Sequence, residues 1–113
     1  MEELIFSKGI TQTAIDHGLC IPTEILHVFP PFGEGNHVQH LIFNDMEVEE
    51  TVWNLRLSVR QEGPPKPVFE GDWVRFVKNK GLKLVDQVLF FRVIHANGEV
   101  TYKIKPFYNF MKV

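Results

Sequence analysis

The feature that most constrains the fold is the pair Asn97-Gly98, which lies between two runs of alternating residues. Both residues tolerate positive φ angles, so an Asn-Gly pair between apolar runs is a strong signal for a tight β-hairpin turn. QVLFFRV precedes the pair, and Val100, Tyr102 and Ile104 alternate with polar residues after it. The pattern therefore predicts a hairpin with strands at 87–94 and 99–106.

A second alternating run, TVWNLRLSVRQ (51–61), predicts a strand with two chemically different faces. One face is apolar and carries Trp53, Leu55, Leu57 and Val59. The other presents hydrogen-bond donors away from the core and carries Asn54, Arg56, Ser58 and Arg60. HVQHLIF (37–43) is predicted as its antiparallel neighbour, joined to it by the acidic turn NDMEVEE. Shorter strands are predicted within 3–8 and 18–22.

The stretch EGDWVRFVKNKG, which begins at Glu70, predicts a short helix with a polar opening. Trp73, Phe76 and Val77 fall on one side of it, and Gly81 can take the left-handed conformation that ends a helix. A helix of about ten residues is marginal alone, so its Trp/Phe side must pack against the sheet. One or two helical turns are also predicted over 22–29, with Pro22 at the first helical position and Thr23 as a candidate cap.

Length and composition predict one domain over residues 1–113. The chain has 113 residues, of which 44% are hydrophobic and 10 are Phe, enough for one packed core. EGPPKP (62–67) must be a loop, because prolines are excluded from central strands. The single Cys20 excludes an intramolecular disulfide, and no apolar run approaches the roughly 20 residues of a membrane span. We expect a mainly β fold, a partly open barrel with two short helices at its ends.

Four segments in series resemble the plant B3 DNA-binding domain of auxin response, abscisic-acid-related and reproductive-meristem transcription factors. They are LIFSKGIT, GLCIP…HVFP, FND…VWNLRL and GDWVRFVKNKGLKLVDQVLFFR. The resemblance implies a seven-stranded open β pseudobarrel with two short α-helices. It also implies sequence-specific binding of double-stranded DNA through the major groove, in the nucleus, as the reading domain of a plant transcriptional regulator.

The resemblance further implies two arms that straddle the major groove. The N-arm is the loop after the first strand, here residues 8–18, and the C-arm is the end of the long Trp53 strand together with the loop that follows, here residues 56–66. Arg suits guanine, Asn and Gln suit adenine, and Lys and Thr suit phosphates. The candidate DNA-binding residues are Lys8, Thr11, Gln12 and Thr13 of the N-arm, and Asn54, Arg56, Ser58, Arg60, Gln61 and Lys66 of the polar strand face and C-arm.

Some residues depart from the pattern of the resembled family. Val85 stands where that family has Gly before Asp86, and we expect it to alter a turn but not the fold. The 44–50 turn carries several carboxylates, Glu62 lies within the C-arm, and the net charge is −2. We expect these charges to weaken binding to DNA, which is a polyanion. Lys78, Lys80 and Lys83 belong to the helix end rather than to the arms.

Other functions are weighed against DNA binding. On base rates, a polar strand face is simply solvated. A B3-like domain that has become a protein-interaction module, with its acidic turn and aromatic surface as the contact, is the second hypothesis. Its candidate partners are other transcriptional regulators or a second copy of the chain.

We expect that the chain is not an enzyme and that it binds no cofactor, small-molecule substrate or membrane. The sequence contains no nucleophile elbow and no phosphate loop. His37 and His40 would point to opposite faces of a strand, so with Cys20 they predict no metal site.

Overall fold

The computed structural model describes residues 1–109, whose strands form one curled, seven-stranded sheet. The elements are β1 (Glu2–Gly9), α1 (Gln12–Asp16), β2 (Leu19–Cys20), a 3₁₀ helix (Thr23–Val28), β3 (Val38–Asp45), β4 (Val52–Ser58), β5 (Val68–Gly71), α2 (Trp73–Lys80), β6 (Gln87–Ile94) and β7 (Val100–Phe107). The strand order is β1-β6-β7-β3-β4-β5-β2. Neighbouring strands are antiparallel except β3 and β7, which are parallel. The predicted fold is confirmed for the described residues, while 110–113 of the predicted domain lie outside them.

The hairpin predicted around Asn97-Gly98 is confirmed. β6 and β7 pair from Ile94 opposite Val100 to Gln87 opposite Phe107, so the second strand runs one residue beyond its predicted end. Gly98 has a φ of +88°, the conformation for which glycine is selected.

The core is closed by aromatic rings from strands that are not neighbours in the sheet. Phe43 of β3, Phe69 of β5 and Phe90 of β6 form a triangle with ring centroids 5.5, 5.4 and 5.3 Å apart. All three side chains are fully buried. Edge and tilted ring contacts at these distances are favourable beyond the area that they bury. The sheet therefore curls because its inner faces carry large rings that must meet.

The helical predictions need two corrections. The N-arm was predicted as a loop, but residues 12–16 of it form α1. Thr11 caps this helix, since its Oγ1 accepts a hydrogen bond of 3.1 Å from the N–H of Ala14. The predicted turns over 22–29 form a 3₁₀ helix, and Pro22 occupies the capping position, with Thr23 as the first helical residue.

Helix α2 is confirmed, with Trp73, Phe76 and Val77 buried and Gly81 ending it at a φ of +64°. The sequence did not predict the short strand β5 immediately before it. Gly71 ends β5 at a φ of +74°, where a Cβ atom would lie 2.9 Å from the backbone oxygen of Asn54. Only glycine fits that close approach, which lets the chain turn from the sheet into the helix.

Asp72 ties α2 to β4 rather than capping its own helix. Its Oδ2 accepts a hydrogen bond of 2.9 Å from the N–H of Asn54, and its own N–H donates to the oxygen of Asn54 at 3.0 Å. Asp72 also pairs with Arg75 at 2.8 Å. The start of the helix is thereby fixed to the middle of the sheet.

Val85 keeps the left-handed conformation expected of the glycine that it replaces, with a φ of +71°. The next residue, Asp86, is buried and accepts hydrogen bonds from the N–H groups of Lys83 at 2.8 Å and Asn109 at 2.9 Å. A β-branched residue in this region is strained. The hydrogen bonds that Asp86 accepts from Lys83 and Asn109 stabilise this strained turn.

No helix within residues 1–109 is long and apolar enough to cross a membrane.

Candidate nucleic-acid interface

The C-arm carries exposed polar side chains beyond the end of β4. Arg60, Gln61 and Lys66 are all exposed. Gln61 donates from Nε2 to Nδ1 of His37 at 2.9 Å, which fixes its amide against the start of β3. Within residues 1–109, neither Arg60 nor Lys66 takes part in an ion pair. Two cations at this end of the sheet are therefore open to an anionic ligand.

The polar face of β4 points away from the core, as predicted, but neighbouring strands supply its partners. Arg56 pairs with Glu70 of β5, Nη1 to Oε1, at 3.2 Å. Ser58 donates from Oγ to the same oxygen at 3.1 Å. His40 of β3 hydrogen-bonds through Nδ1 to Oδ1 of Asn54 at 3.2 Å. Sequence reasoning missed Glu70 and His40, because only the strand register brings them onto this face.

The N-arm residues are mostly engaged within their own segment. Lys8 is partly buried near the end of β1 and pairs with Val88, so both side chains lie on one face of the sheet. Thr11 caps α1, and Gln12 donates from Nε2 to Oδ2 of Asp16 at 2.9 Å. Thr13 is exposed. Thr11 and Gln12 therefore have internal partners, whereas the side chains of Lys8 and Thr13 have no hydrogen bond or ion pair within residues 1–109.

The end of the N-arm packs directly against the strand that follows the C-arm. Leu19 of β2 pairs with Phe69 of β5, and the N–H of Ile21 donates to the oxygen of Pro67 at 3.0 Å. A Cβ atom on Gly18 would lie 2.9 Å from Val68 Cγ1 and 3.3 Å from Glu70 Cγ. The ends of the two arms are therefore joined to neighbouring, hydrogen-bonded strands of the sheet.

Charge is distributed unevenly between the arms and the rest of the chain. The arms together carry four Lys or Arg residues and two carboxylates, whereas the whole chain has a net charge of −2. The arms thus carry a net positive charge in a chain that is acidic overall, as residues 73–83 also do, and Glu70 lies beside the arms. This distribution favours an anionic ligand at the arms.

Part of the acidic 44–50 turn is neutralised from within. Lys80 Nζ lies 2.8 Å from Asp45 Oδ2 and 3.1 Å from Glu47 Oε1, and Trp53 Nε1 donates to Asp45 Oδ2 at 3.0 Å. The side chains of Lys80 and Asp45 are only 6% and 1% exposed. Burial opposes both charges, but the hydrogen bonds outweigh it, so the pKa of Asp45 is lowered and the pKa of Lys80 is raised. Glu49 and Glu50 remain as exposed carboxylates of the turn.

No three His, Cys, Asp or Glu side chains within residues 1–109 form a group that could hold a metal ion.

Solved structures identify the fold. No model of a known protein family matches the sequence, and no curated protein matches it. The Arabidopsis FUS3–DNA complex has a TM-score of 0.78 and 16% identity, covering 94% of this chain and 98% of that one. The Arabidopsis thaliana transcription factor LEC2–DNA complex has a TM-score of 0.76 and 12% identity, covering 94% of each chain.

A third structure, the hypothetical Arabidopsis thaliana protein At1g16640.1, has a TM-score of 0.67 and 21% identity, covering 99% of this chain and 96% of that one. At these identities the similarity concerns the fold. The chain has the B3-type pseudobarrel fold, which confirms the fold that the sequence resemblance implied.

Proposed function

We propose that this chain binds double-stranded DNA sequence-specifically through the major groove, as the reading domain of a nuclear plant transcriptional regulator. The observation that carries the proposal is the C-arm, where Arg60, Gln61 and Lys66 are exposed on a barrel similar to those of the FUS3–DNA and LEC2–DNA complexes. We propose a binding module rather than an enzyme.

The chemistry of the C-arm supports both parts of DNA recognition. A guanidinium can donate two hydrogen bonds, to guanine O6 and N7, whereas an amide can donate one to adenine N7 and accept one from the adenine N6 amino group. Arg60 and Gln61 supply these two groups side by side. Lys66 follows in the Pro-rich loop and suits a phosphate, which fixes register without reading sequence. The prolines limit the conformational entropy that this loop loses on binding.

The test is selection of bound sites from random duplex DNA, followed by fluorescence anisotropy with an enriched duplex and a scrambled one. We expect enrichment of a defined site, and log K for that site should fall linearly with log salt concentration. The slope should be about −0.9 per phosphate contact. Failure to enrich any site, together with no binding at low salt, would overturn the proposal.

A second candidate function is protein interaction, favoured by one apolar surface beside the acidic turn. Ile42, Val48 and Val52 are 49%, 51% and 51% exposed, close in sequence to the carboxylates of Glu49 and Glu50. Ile42 and Val52 lie on the outer faces of the neighbouring strands β3 and β4. Such a surface suits another regulator or a second copy of the chain. A blank DNA selection together with self-association that Val52→Lys abolishes would favour this candidate.

A further inference from the structure

One carboxylate oxygen joins two of the predicted DNA contacts. Oε1 of Glu70 lies 3.2 Å from Nη1 of Arg56 and accepts a hydrogen bond of 3.1 Å from Oγ of Ser58. Glu70 is directly opposite Arg56 in the β4–β5 register. Gly18, the last residue of the N-arm, lies beside its stem, since a Cβ atom on Gly18 would be 3.3 Å from Glu70 Cγ. The carboxylate is therefore held where the two arms meet.

We propose that Glu70 is a positioning residue that restrains DNA binding by holding Arg56 and offsetting its charge, an inference that rests on the proposed function. While the pair is intact, Arg56 brings a carboxylate with it toward any phosphate that it approaches. To contact DNA, Arg56 must either share its donors with Glu70 or leave it. Each route weakens the attraction that a lone guanidinium would provide.

Charge removal at position 70 is compatible with folding. The side chains of Arg56 and Glu70 are 42% and 43% exposed. Ion pairs as exposed as this one contribute little to stability. Removing the pair should therefore change the surface charge at the arms while changing the free energy of unfolding little. An effect of Glu70→Gln on DNA affinity can then be measured on a folded protein.

The experiment compares the wild-type chain with Glu70→Gln by anisotropy on the enriched duplex and on a scrambled duplex. We expect about fivefold tighter binding to both, the effect of one unit charge at about 4 Å in water. The salt slope should steepen by about 0.9, because Arg56 gains a phosphate contact. Glu70→Thr also removes the charge, and Thr is favoured in strands. It should reproduce the gain, which would show that the gain comes from the lost charge and not from a property of the Gln side chain.

The matched control is Glu49→Gln, which removes the same charge from the turn at the other end of β4. It should change affinity by less than about twofold, since screening is strong beyond roughly 10 Å. A double-mutant cycle supplies the second control. In the Arg56→Ala background, Glu70→Gln should strengthen binding less than it does in the wild-type chain and should leave the salt slope unchanged, because no Arg56 is present to be released onto a phosphate.

The outcomes separate the inference from the function on which it rests. If the wild-type chain binds a selected site but Glu70→Gln binds it equally or more weakly, the inference is overturned and the DNA-binding function stands. Weaker binding confined to the selected site would make Glu70 a base-reading residue, which can accept from cytosine N4. If neither protein binds any duplex at low salt, both proposals are overturned. Thermal melting of each variant shows that the comparison is between folded proteins.

Discussion

The indole Nε1 of Trp73 donates a hydrogen bond of 2.7 Å to the backbone oxygen of Ala14, which joins α2 to the short helix of the N-arm. Trp73 is fully buried, and its ring stacks on Phe76 with centroids 5.8 Å apart. The same residue therefore closes the barrel end and holds the N-arm in place.

Trp73→Ala should unfold or severely destabilise the protein, because truncating a buried aromatic costs about 3–5 kcal/mol of a total of roughly 5–15 kcal/mol. Trp73→Phe keeps most of the packing but leaves the oxygen of Ala14 without its donor, a cost of about 1–3 kcal/mol. Urea unfolding measures both values. Hydrogen exchange should also show faster opening at residues 12–16 in Trp73→Phe. Near-native melting of Trp73→Ala would refute this role.

Lys80→Met should destabilise the protein by about 3–5 kcal/mol, the cost of leaving a buried carboxylate without its partner. The carboxylates concerned are Asp45 and, in part, Glu47. Lys78→Met is the matched control, since Lys78 is an exposed lysine of the same helix. It should change the free energy of unfolding by no more than about 0.5 kcal/mol. Equal effects of the two substitutions in urea unfolding would contradict a structural role for the buried pair.

The same ion pair predicts the pH dependence of stability. The pKa of Asp45 is lowered from its ordinary value of 3.8, so its contribution is complete above that pH and is lost as pH falls through the lower folded value. The pKa of Lys80 is raised from 10.5, so its contribution is lost only as pH rises above that value. Urea midpoints of wild type and Asp45→Asn between about pH 2 and pH 7 check this. Asp45→Asn should lose less stability in acid than wild type, and parallel curves would show that Asp45 is not responsible.

Val85→Gly should stabilise the protein by about 1 kcal/mol. The left-handed conformation costs a non-glycine residue about 1–2 kcal/mol, and glycine gives part of this back through its freer unfolded chain. Val85 is 55% exposed, so little packing is lost. Leu84→Gly is the control, because Leu84 is similarly exposed at 49% but does not have a positive φ. Leu84→Gly should leave stability unchanged or lower it. If thermal melting shows the same rise in melting temperature for both variants, backbone strain at Val85 is not the cause.

Arg60→Ala should lower affinity for the selected site by one to two orders of magnitude, because a bidentate base contact provides about 1–3 kcal/mol of discrimination. Folding should be unaffected, since Arg60 is exposed. Lys66→Ala should weaken all duplexes about equally and make the salt slope shallower by roughly 0.9. Anisotropy on selected and scrambled duplexes separates the two effects. Equal small losses on every duplex would make Arg60 a mere surface charge.

The parts of this fold that depend on local pattern could be predicted from the sequence. Asn97-Gly98 predicted the hairpin, and Gly81 predicted the end of α2. The alternation of polar and apolar residues predicted the two faces of β4. β5 was missed because its four residues, which follow Pro67 and end with Gly71, are too few to show a period. Thr11, a residue type that commonly caps helices, could have indicated the start of α1, but this segment was predicted as a loop.

The candidate site was less predictable than the fold. A strand pattern shows which face a side chain is on but not which strand lies beside it. Arg56 was therefore predicted as an open donor, whereas the β4–β5 register sets Glu70 directly opposite it. The exposure of Arg60, Gln61 and Lys66 is consistent with the predicted C-arm, and the roles of all these residues in DNA binding stay predictions.

The pairing of β1 with β6 bears on how the chain folds. Glu2 lies opposite Val93, so the first strand has no partner until most of the chain exists. At a synthesis rate of about 5–20 residues per second, that wait is roughly 4–17 s, and β1 spends it beside a ribosome with its apolar face uncovered. Contacts so distant in sequence also slow folding in free solution. β1 is therefore made well before the strand that covers it, and chaperones can bind it during that interval.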